Sequence, residues 1–495
     1  MSTTSTSTGS SLYWNSQVEG AMRELQADVF GNPHSSNPSS LRTEARVEEL
    51  RRRVLDFFGA DPSIYDIVWT RSGTGALHVL GETFPFTAGS RFAYLDSNHN
   101  SVLGIREFAK HAGAEHGAVS EEQVMYPLRW VRAVQAKSTR RQRWKVLLDA
   151  AAFVPSHPLN LSETPADFVD LSMYKLFGYP TGVGALIARH EDIAAARKLY
   201  WGGGSVFLAT SRLDWRLLRP CGAERFEDGT LPFLNILGLS YGLDVYKTLG
   251  WANIERHTNA IREWLYRQLS QLRHSNGAPM LRILGRHGRP DSSSSQGATF
   301  NFQILKPNGE VFSYRRAGTA MAAAGFHMRT GCTCNPGACY AFLGVRDDEV
   351  QAAAQLAGGN FSEWEWVWVR RRVDTPHAIP TAEEAAAHVR SVVADEGKHY
   401  QLVKLPLGSL RLSFGYMSRF EDAWAILNWL KQHYTDRTVD DYVFDDAAAA
   451  SSSSSSSSGN SSDSTAGAAG TAAEQAQRQA ERVRRAIELQ GPGWC

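Results

Sequence analysis

The chain has 495 residues, a formal net charge of +1 and 43% hydrophobic residues. That length accommodates two or more domains with their own cores. The interleaved, near-neutral charge gives no footing to nucleic acid or an anionic membrane as the main partner, and no apolar run is long enough to span a bilayer. The N-terminal MSTTSTSTGSS lacks the apolar core of a secretory signal, so a cytoplasmic protein is expected, with residues 1–11 disordered. Five cysteines, three crowded near residue 335, fit a reducing compartment with working thiols better than a disulfide framework.

In chain order, GNPHSSNPSS (31–40) reads as a loop from which Asn32 and His34 could reach a site, although a structural loop is the default. Leu41 to Phe58 carries Val47, Leu50, Val54 and Phe58 at helical spacing. Ile64 to Thr70 reads as a strand, followed by Arg71-Ser72-Gly73-Thr74-Gly75 and a helical run from Ala76. Further strands are expected at Arg91–Leu95, Trp144–Leu148, Ala166–Leu171 and Gly182–Ala188, apolar enough for a parallel sheet covered by helices. Trp201 to Ser205 reads as a glycine hinge, Phe226 to Thr230 as a polar turn, and Trp251 to Arg273 as a long helix leading to a second domain. There, Ala298–Phe302 and Ser409–Tyr416 alternate as strands, and Ser418 to Glu421 reads as a capping box. The helix it opens is expected to show Phe420, Trp424, Leu427 and Tyr434 on one face. Residues 357–400 carry little pattern, and Arg370-Arg371-Arg372 reads as a solvated face before an anion site. Residues 447–470 are a linker by composition, and 472–489 suit a short helix. Such a linker makes most sense joined to a further domain.

Four positions fall at the carboxyl ends of expected strands, where ligands bind in such sheets: Gly73, His99, Asp149 and Lys175. Lys175, at the end of a strand in a tight loop among aromatics, suits a desolvated nucleophilic amine able to form a Schiff base. Pyridoxal phosphate asks a protein for such a lysine, an acid at the pyridine nitrogen, a phosphate cup and a flat group on the ring face. Lys175, Asp149, the Gly73-Thr74-Gly75 turn with Ser172, and His99 supply one each. The bland readings are a surface lysine, a helix-capping Asp and a turn that only packs helix on sheet.

The order TRSGTGAL, YLDSNHNS, LLDAAAF, SMYK, FEDGT, RTGCTCNPGAC, SLRLSFGYMS resembles the class V aminotransferase-like enzymes of fold type I, NifS-like cysteine desulfurases among them. VFGNPHS, GETFPF, PADFVDLSMYKLFGYPTGVGALI and YWGGG bring it nearer the N-terminal domain of the molybdenum cofactor sulfurases. The resemblance covers about residues 13–440. It implies an α/β fold with a large pyridoxal-phosphate domain built on a mostly parallel sheet (12–255) and a smaller α+β C-terminal domain (256–445). Residues 12–44 could pack on the small domain, and 446–495 form the linker and short helix. The roles it implies are Lys175 as Schiff-base lysine, Asp149 at the pyridine nitrogen, His99 on the ring, and Thr74 and Ser172 on the phosphate. Thr230 would reach in from a partner subunit of a homodimer, Arg411 would hold the carboxylate of L-cysteine, and Cys334 would take the sulfur. The sulfur would pass to the molybdenum cofactor or a protein carrying it. The chain departs from general desulfurases at Tyr174, where they carry His, and at Ala152, where they carry Gln. It also lacks the family's opening Tyr-Leu-Asp-x-Ala-Gly-Ala-Thr segment. Alternatives are a general desulfurase, another class V aminotransferase or lyase, or an inactive scaffold.

By residue type alone the loop RTGCTCNPGAC does not single out Cys332, Cys334 or Cys339, with Arg329 near enough to favour a thiolate. The resemblance selects Cys334, with Cys332 next. A structural zinc site from the three thiols and His327 has unusual spacing, and no metal is expected. Cys221 and Cys339 read as small packing residues.

Overall fold

The computed structural model describes residues 13–120, 127–140, 142–220, 222–292, 296–332, 334–357, 365–372 and 400–440. The expected N-terminal disorder, the linker, the helix at 472–489 and the packing of Cys221 fall outside these residues. No described helix is long and apolar enough to cross a membrane.

The N-terminal half opens with α1 (Asn15–Ala27) and α2 (Pro38–Phe57). Helix α2 starts ahead of its apolar spacing because Asn37 accepts a hydrogen bond from Ser40 N and Pro38 takes the first helical position. Then follow β1 (Tyr65–Thr70), α3 (Gly73–Thr83), β2 (Arg91–Leu95), β3 (Glu115–Val119), β4 (Leu147–Asp149), β5 (Phe168–Ser172), α4 (Met173–Phe177) and β6 (Gly184–Arg189). A hairpin of β7 (Val206–Ala209) and β8 (Arg216–Leu218) precedes α5 (Phe233–Leu249) and α6 (Trp251–Ser270).

The central sheet runs β1-β6-β5-β4. Strand β6 is antiparallel to both neighbours, so β1 and β5 share a direction, and β4 is parallel to β5. Strands β2 and β3 form a separate parallel pair, and Leu147 of β4 packs with Phe92 and Tyr94 of β2 around Leu77, Val102 and Ile105. The expected parallel sheet is therefore present with one reversed strand. Strand β5 is buried throughout, as an apolar run covered on both faces should be. Strand β4 is shorter than its apolar run, because Val146 N donates to the Asp167 carboxylate, at 2.8 Å, instead of to a strand carbonyl.

One core gathers Val47, Leu50, Val54, Ile67, Val169, Leu171, Ile187, Leu243 and Ile254; a second gathers Ile261, Leu265, Phe300, Phe302, Leu410, Leu412, Ile426 and Leu430. Helix α6 spans both, with Ile254 in the first and Ile261 in the second. Helix α1 packs on α5, where Tyr241 Oη donates to Glu24 Oε2 at 3.0 Å, and Gln17 Nε2 donates to the Phe177 carbonyl of α4 at 3.2 Å. The expected packing of 12–44 on the small domain is thus corrected, since α1 buries its polar side chains against the large one.

The C-terminal half holds β9 (Leu281–Leu284), β10 (Thr299–Ile304), β11 (Arg329–Gly331), α7 (Pro336–Leu343), the pair β12 (Trp366–Arg372) and β13 (Tyr400–Pro406), β14 (Ser409–Ser413) and α8 (Phe420–Tyr434). Its main sheet is antiparallel, in the order β11-β14-β10-β9. Helix α8 buries Ala423, Ile426, Leu427, Leu430 and Tyr434, whereas Phe420 and Trp424 are 42% and 59% exposed. Its N-terminal cap is Arg419, whose N–H donates to Asp422 Oδ2, one residue later than expected.

Candidate active site between the two domains

Because β1 and β5 run together and β6 runs against them, the ends of β1 and β5 meet the start of β6: Thr70 and Ser172 both pair with Gly184. A Cβ at Gly184 would collide with the backbone of Ser72, so only glycine lets the chain descend there into α3. Helix α3 begins at Gly73, ahead of the expected Ala76, because Ser72 Oγ accepts from Gly75 N at 3.1 Å. A Cβ at Gly73 would lie 3.0 Å from Asp170 Oδ2 and 3.5 Å from Ser172 Cβ. Gly73, Thr74, Gly75 and Ser172 therefore form one cradle at the start of α3, a setting that favours an anion.

Thr74 Oγ1 is 2.9 Å from Ser101 Oγ, and Ser101 N donates to His99 Nδ1 at 3.0 Å, which orients the imidazole. Asp149, half-buried at the end of β4, accepts from Ala151 N at 3.3 Å. Lys175 is half-buried on α4, a helical turn where the composition suggested a tight loop. Gly178 ends that turn at φ 75°.

Charge interactions tie these groups together. Burial lowers the His99 imidazole below its ordinary value, Lys175 and Arg411 push the same way, and Asp149 opposes them. Arg411 comes from the middle of β14, opposite Arg329 of β11 and Asn301 of β10. Burial and then Arg329 push its guanidinium down, while Cys334 and Tyr174 push it up. Residues of both domains thus face one cleft.

The cysteine loop closes that cleft. Asn100 N donates to the Cys334 carbonyl at 2.8 Å, and Asn335 Nδ2 donates to the Ser97 carbonyl at 2.7 Å. Gly337 lies so close that a Cβ there would overlap the Asp96 carbonyl oxygen. Cys332 and Cys339 form a disulfide, and both pack against Leu343, Val345 and Leu407. This corrects the expectation of working thiols in place of a disulfide, and it takes Cys332, the second choice for the sulfur, out of the thiol form. It also removes the zinc reading, which needed all three thiols, and adds a bond to the packing role of Cys339. Cys334, half-buried, is the loop cysteine outside the disulfide.

Thr230 is exposed, and its hydroxyl accepts from Asn32 Nδ2 at 3.4 Å, while His34 Nε2 lies 3.5 Å from the Gly229 carbonyl. The 31–40 loop therefore supports the Thr230 turn. Buried Glu227 fixes that turn by accepting from Trp69 N and pairing with Arg51. The glycine stretch at 201–205 is no hinge: Gly229 N donates to the Gly203 carbonyl, and buried Ser205 binds Asp228. Residue-type reasoning missed Ser101, Asn335, Glu227 and Asp170. Asp170 carried a signal, an acid inside an apolar strand, and the structure pairs it in register with Asp149.

The aminotransferase class-V family model matches residues 7–122 and 131–346. The chain is 34% identical over 471 residues to the molybdenum cofactor sulfurase of Bos taurus, covering 85% of this chain and 49% of that protein. It is 33% identical over 485 residues to that of Solanum lycopersicum, covering 86% of this chain and 54% of that protein. The chain thus spans about half the length of these curated relatives. Among solved structures, an apo cysteine desulfurase from Thermococcus onnurineus NA1 matches with TM-score 0.63 at 17% identity, covering 87% of this chain and 94% of that one. A cysteine desulfurase from Escherichia coli gives 0.60 at 17% identity, with the same coverage. The structural likeness carries the fold and the sequence match carries the family: this chain, with its fold-type-I architecture, belongs to the class-V aminotransferases.

Proposed function

We propose that the chain is a pyridoxal-phosphate-dependent cysteine desulfurase of the molybdenum cofactor sulfurase type. The supporting observation is the convergence of His99, Asp149 and Lys175 from one domain with Arg411 and Cys334 from the other. Pyridoxal 5'-phosphate suits the donor set: an amine at Lys175, a carboxylate at Asp149, a neutral imidazole at His99, and the Ser72-capped start of a helix at Gly73. Gly73, Thr74, Gly75 and Ser172 would hold its phosphate, and Thr230 of a second copy would complete the set. When bound, the cofactor supplies an electron sink for a carbanion at the substrate Cα.

The chain's own groups do the rest. Arg411 holds the carboxylate of L-cysteine, and the Lys175 amine takes the Cα proton at Nζ. Cys334 Sγ attacks the substrate sulfur as the substrate Cβ–S bond breaks; the bonding pair stays on Cβ, which takes up the proton lost by the thiol. Lys175 returns a proton to Cα, and alanine leaves with the sulfur held as a persulfide on Cys334. Arg411 beside Cys334 favours the attacking thiolate. The acceptor is the molybdenum cofactor or a protein carrying it. Alanine formation from L-cysteine tests this, and full activity in Lys175→Ala would end it.

The reading includes a large domain at 12–255 and a small one at 256–445, supported by two cores with α6 across the boundary. It includes a homodimer, supported by the exposed apolar side chains Leu199, Tyr200, Phe207, Leu208, Leu213 and Trp215 on the segment leading to Thr230. A monomer at micromolar concentration that still holds cofactor tightly would contradict the dimer. A cytoplasmic location belongs to the same reading.

A further inference from the structure

Asp170 is 1% exposed on the central strand β5, and its Oδ1 has no hydrogen-bond partner among the described residues. In the parallel pairing of β4 and β5, Asp170 stands opposite Asp149. Side chains in register on neighbouring strands share a face, so two carboxyl groups lie side by side there. The groups facing Asp170 are Asp149 from β4, Lys175 from α4 and the start of α3, where Gly73 is close to Asp170 Oδ2. Lys175 and the α3 dipole favour an anion, while burial and Asp149 oppose one. The opposing pair dominates, and Asp170 is raised well above the usual carboxylate range. An anion held in the Gly73-Thr74 cradle would add to the opposition.

We propose that Asp170 stays protonated at neutral pH and donates its hydroxyl hydrogen to Asp149, so that the two acids act as one singly charged, oriented carboxylate. The proposal rests on the reading of Asp149 as partner of the pyridine nitrogen. Asp170 is then a positioning residue. An O–H donated to a carboxylate is among the strong hydrogen bonds, and it fixes which Asp149 oxygen turns toward the ligand. Like charges in contact cannot both ionise, and the buried member is the one that keeps the proton.

The test uses three variants of the full chain. Asp170→Asn retains a donor of nearly the same shape, Asp170→Leu retains the shape without a donor, and Asp149→Asn examines the underlying reading. Infrared difference spectra of cofactor-free protein at pH 7, wild type minus Asp170→Asn, should show the carbonyl stretch of a protonated carboxylic acid. Its absence overturns the proposal. Equilibrium titration with pyridoxal 5'-phosphate should find Asp170→Asn within about threefold of wild type and Asp170→Leu weaker by about ten- to a hundredfold, the effect of losing a hydrogen bond to a charged group. Wild-type affinity in a folded Asp170→Leu also overturns it. If Asp170→Leu does not fold by circular dichroism, the infrared result decides alone. Wild-type affinity in Asp149→Asn would instead defeat the pyridine-nitrogen reading, which the infrared band does not depend on.

Discussion

The two halves of the cleft are built by opposite means. In the large domain, Gly73, Asp149 and Lys175 follow the ends of strands whose spacing and register the sheet dictates. In the small domain, Arg411 projects from mid-strand and Cys334 rides on a loop docked through Asn100, Asn335 and Gly337. Moving a large-domain group means breaking a buried ladder. Moving Cys334 means breaking a few polar contacts, each worth only about 0.5–1.5 kcal/mol net. On the proposed function, the large-domain side would be the fixed reference, and the thiol side the part able to travel from substrate to acceptor.

The harshest challenge to that division is Lys175→Ala. Losing a positioned general base costs about 10²- to 10⁴-fold, so alanine formation should fall by that much while Cys334 stays alkylatable. Cys334→Ser should abolish the protein-bound persulfide, whereas Cys332→Ser should keep it; persulfide on Cys332 in the Cys334→Ser variant would show that the loop offers two nucleophiles.

A pH experiment probes the rigid half. A carboxyl whose folded pKa is raised binds more protons folded than unfolded, so it lowers stability as pH climbs above the unfolded value of about 3.9. Asp170 is such a group. Removing it in Asp170→Asn should therefore gain stability relative to wild type as pH rises, at up to about 1.4 kcal/mol per pH unit, and should gain nothing below about pH 4. Urea titrations from pH 4 to 7 measure this, and parallel curves for the two proteins would contradict it.

The mildest expected effect lies on the docked half. Asn335→Ala removes the bond to Ser97 and the cap of α7, and should slow persulfide formation about five- to tenfold at unchanged cofactor affinity. A loss of cofactor affinity as well would erase the distinction between the halves.

The same division explains what the sequence disclosed. Strand-end positions are legible because apolar runs mark strands and the residue after the run marks the edge. The places of Asp149, Lys175 and His99 at or after strand ends are legible that way. The reversed β6 is not, because an apolar run carries no direction. Asp170 was hidden by the rule that found the others: inside an apolar run, a lone acid reads as an interruption. The Cys332–Cys339 bond was hidden because spacing does not fix pairing. Phe420 and Trp424 are exposed because the stripe facing the core is Ala423, Ile426, Leu427, Leu430 and Tyr434, and the two bulky aromatics drew the expected face one position aside.

The placement of the disulfide has a practical consequence for mass spectrometry. Trypsin cuts after Arg329 and Arg346, and no lysine or arginine lies between them. Cys332, Cys334 and Cys339 therefore leave the protein on a single peptide, Thr330 to Arg346. That fragment is lighter by two hydrogens when the outer pair is joined and heavier by one sulfur when the middle residue is loaded. One spectrum, taken without reductant, thus records both the oxidation state of the loop and its sulfur cargo, molecule by molecule. It shows directly whether loading and bond closure occur on the same chain.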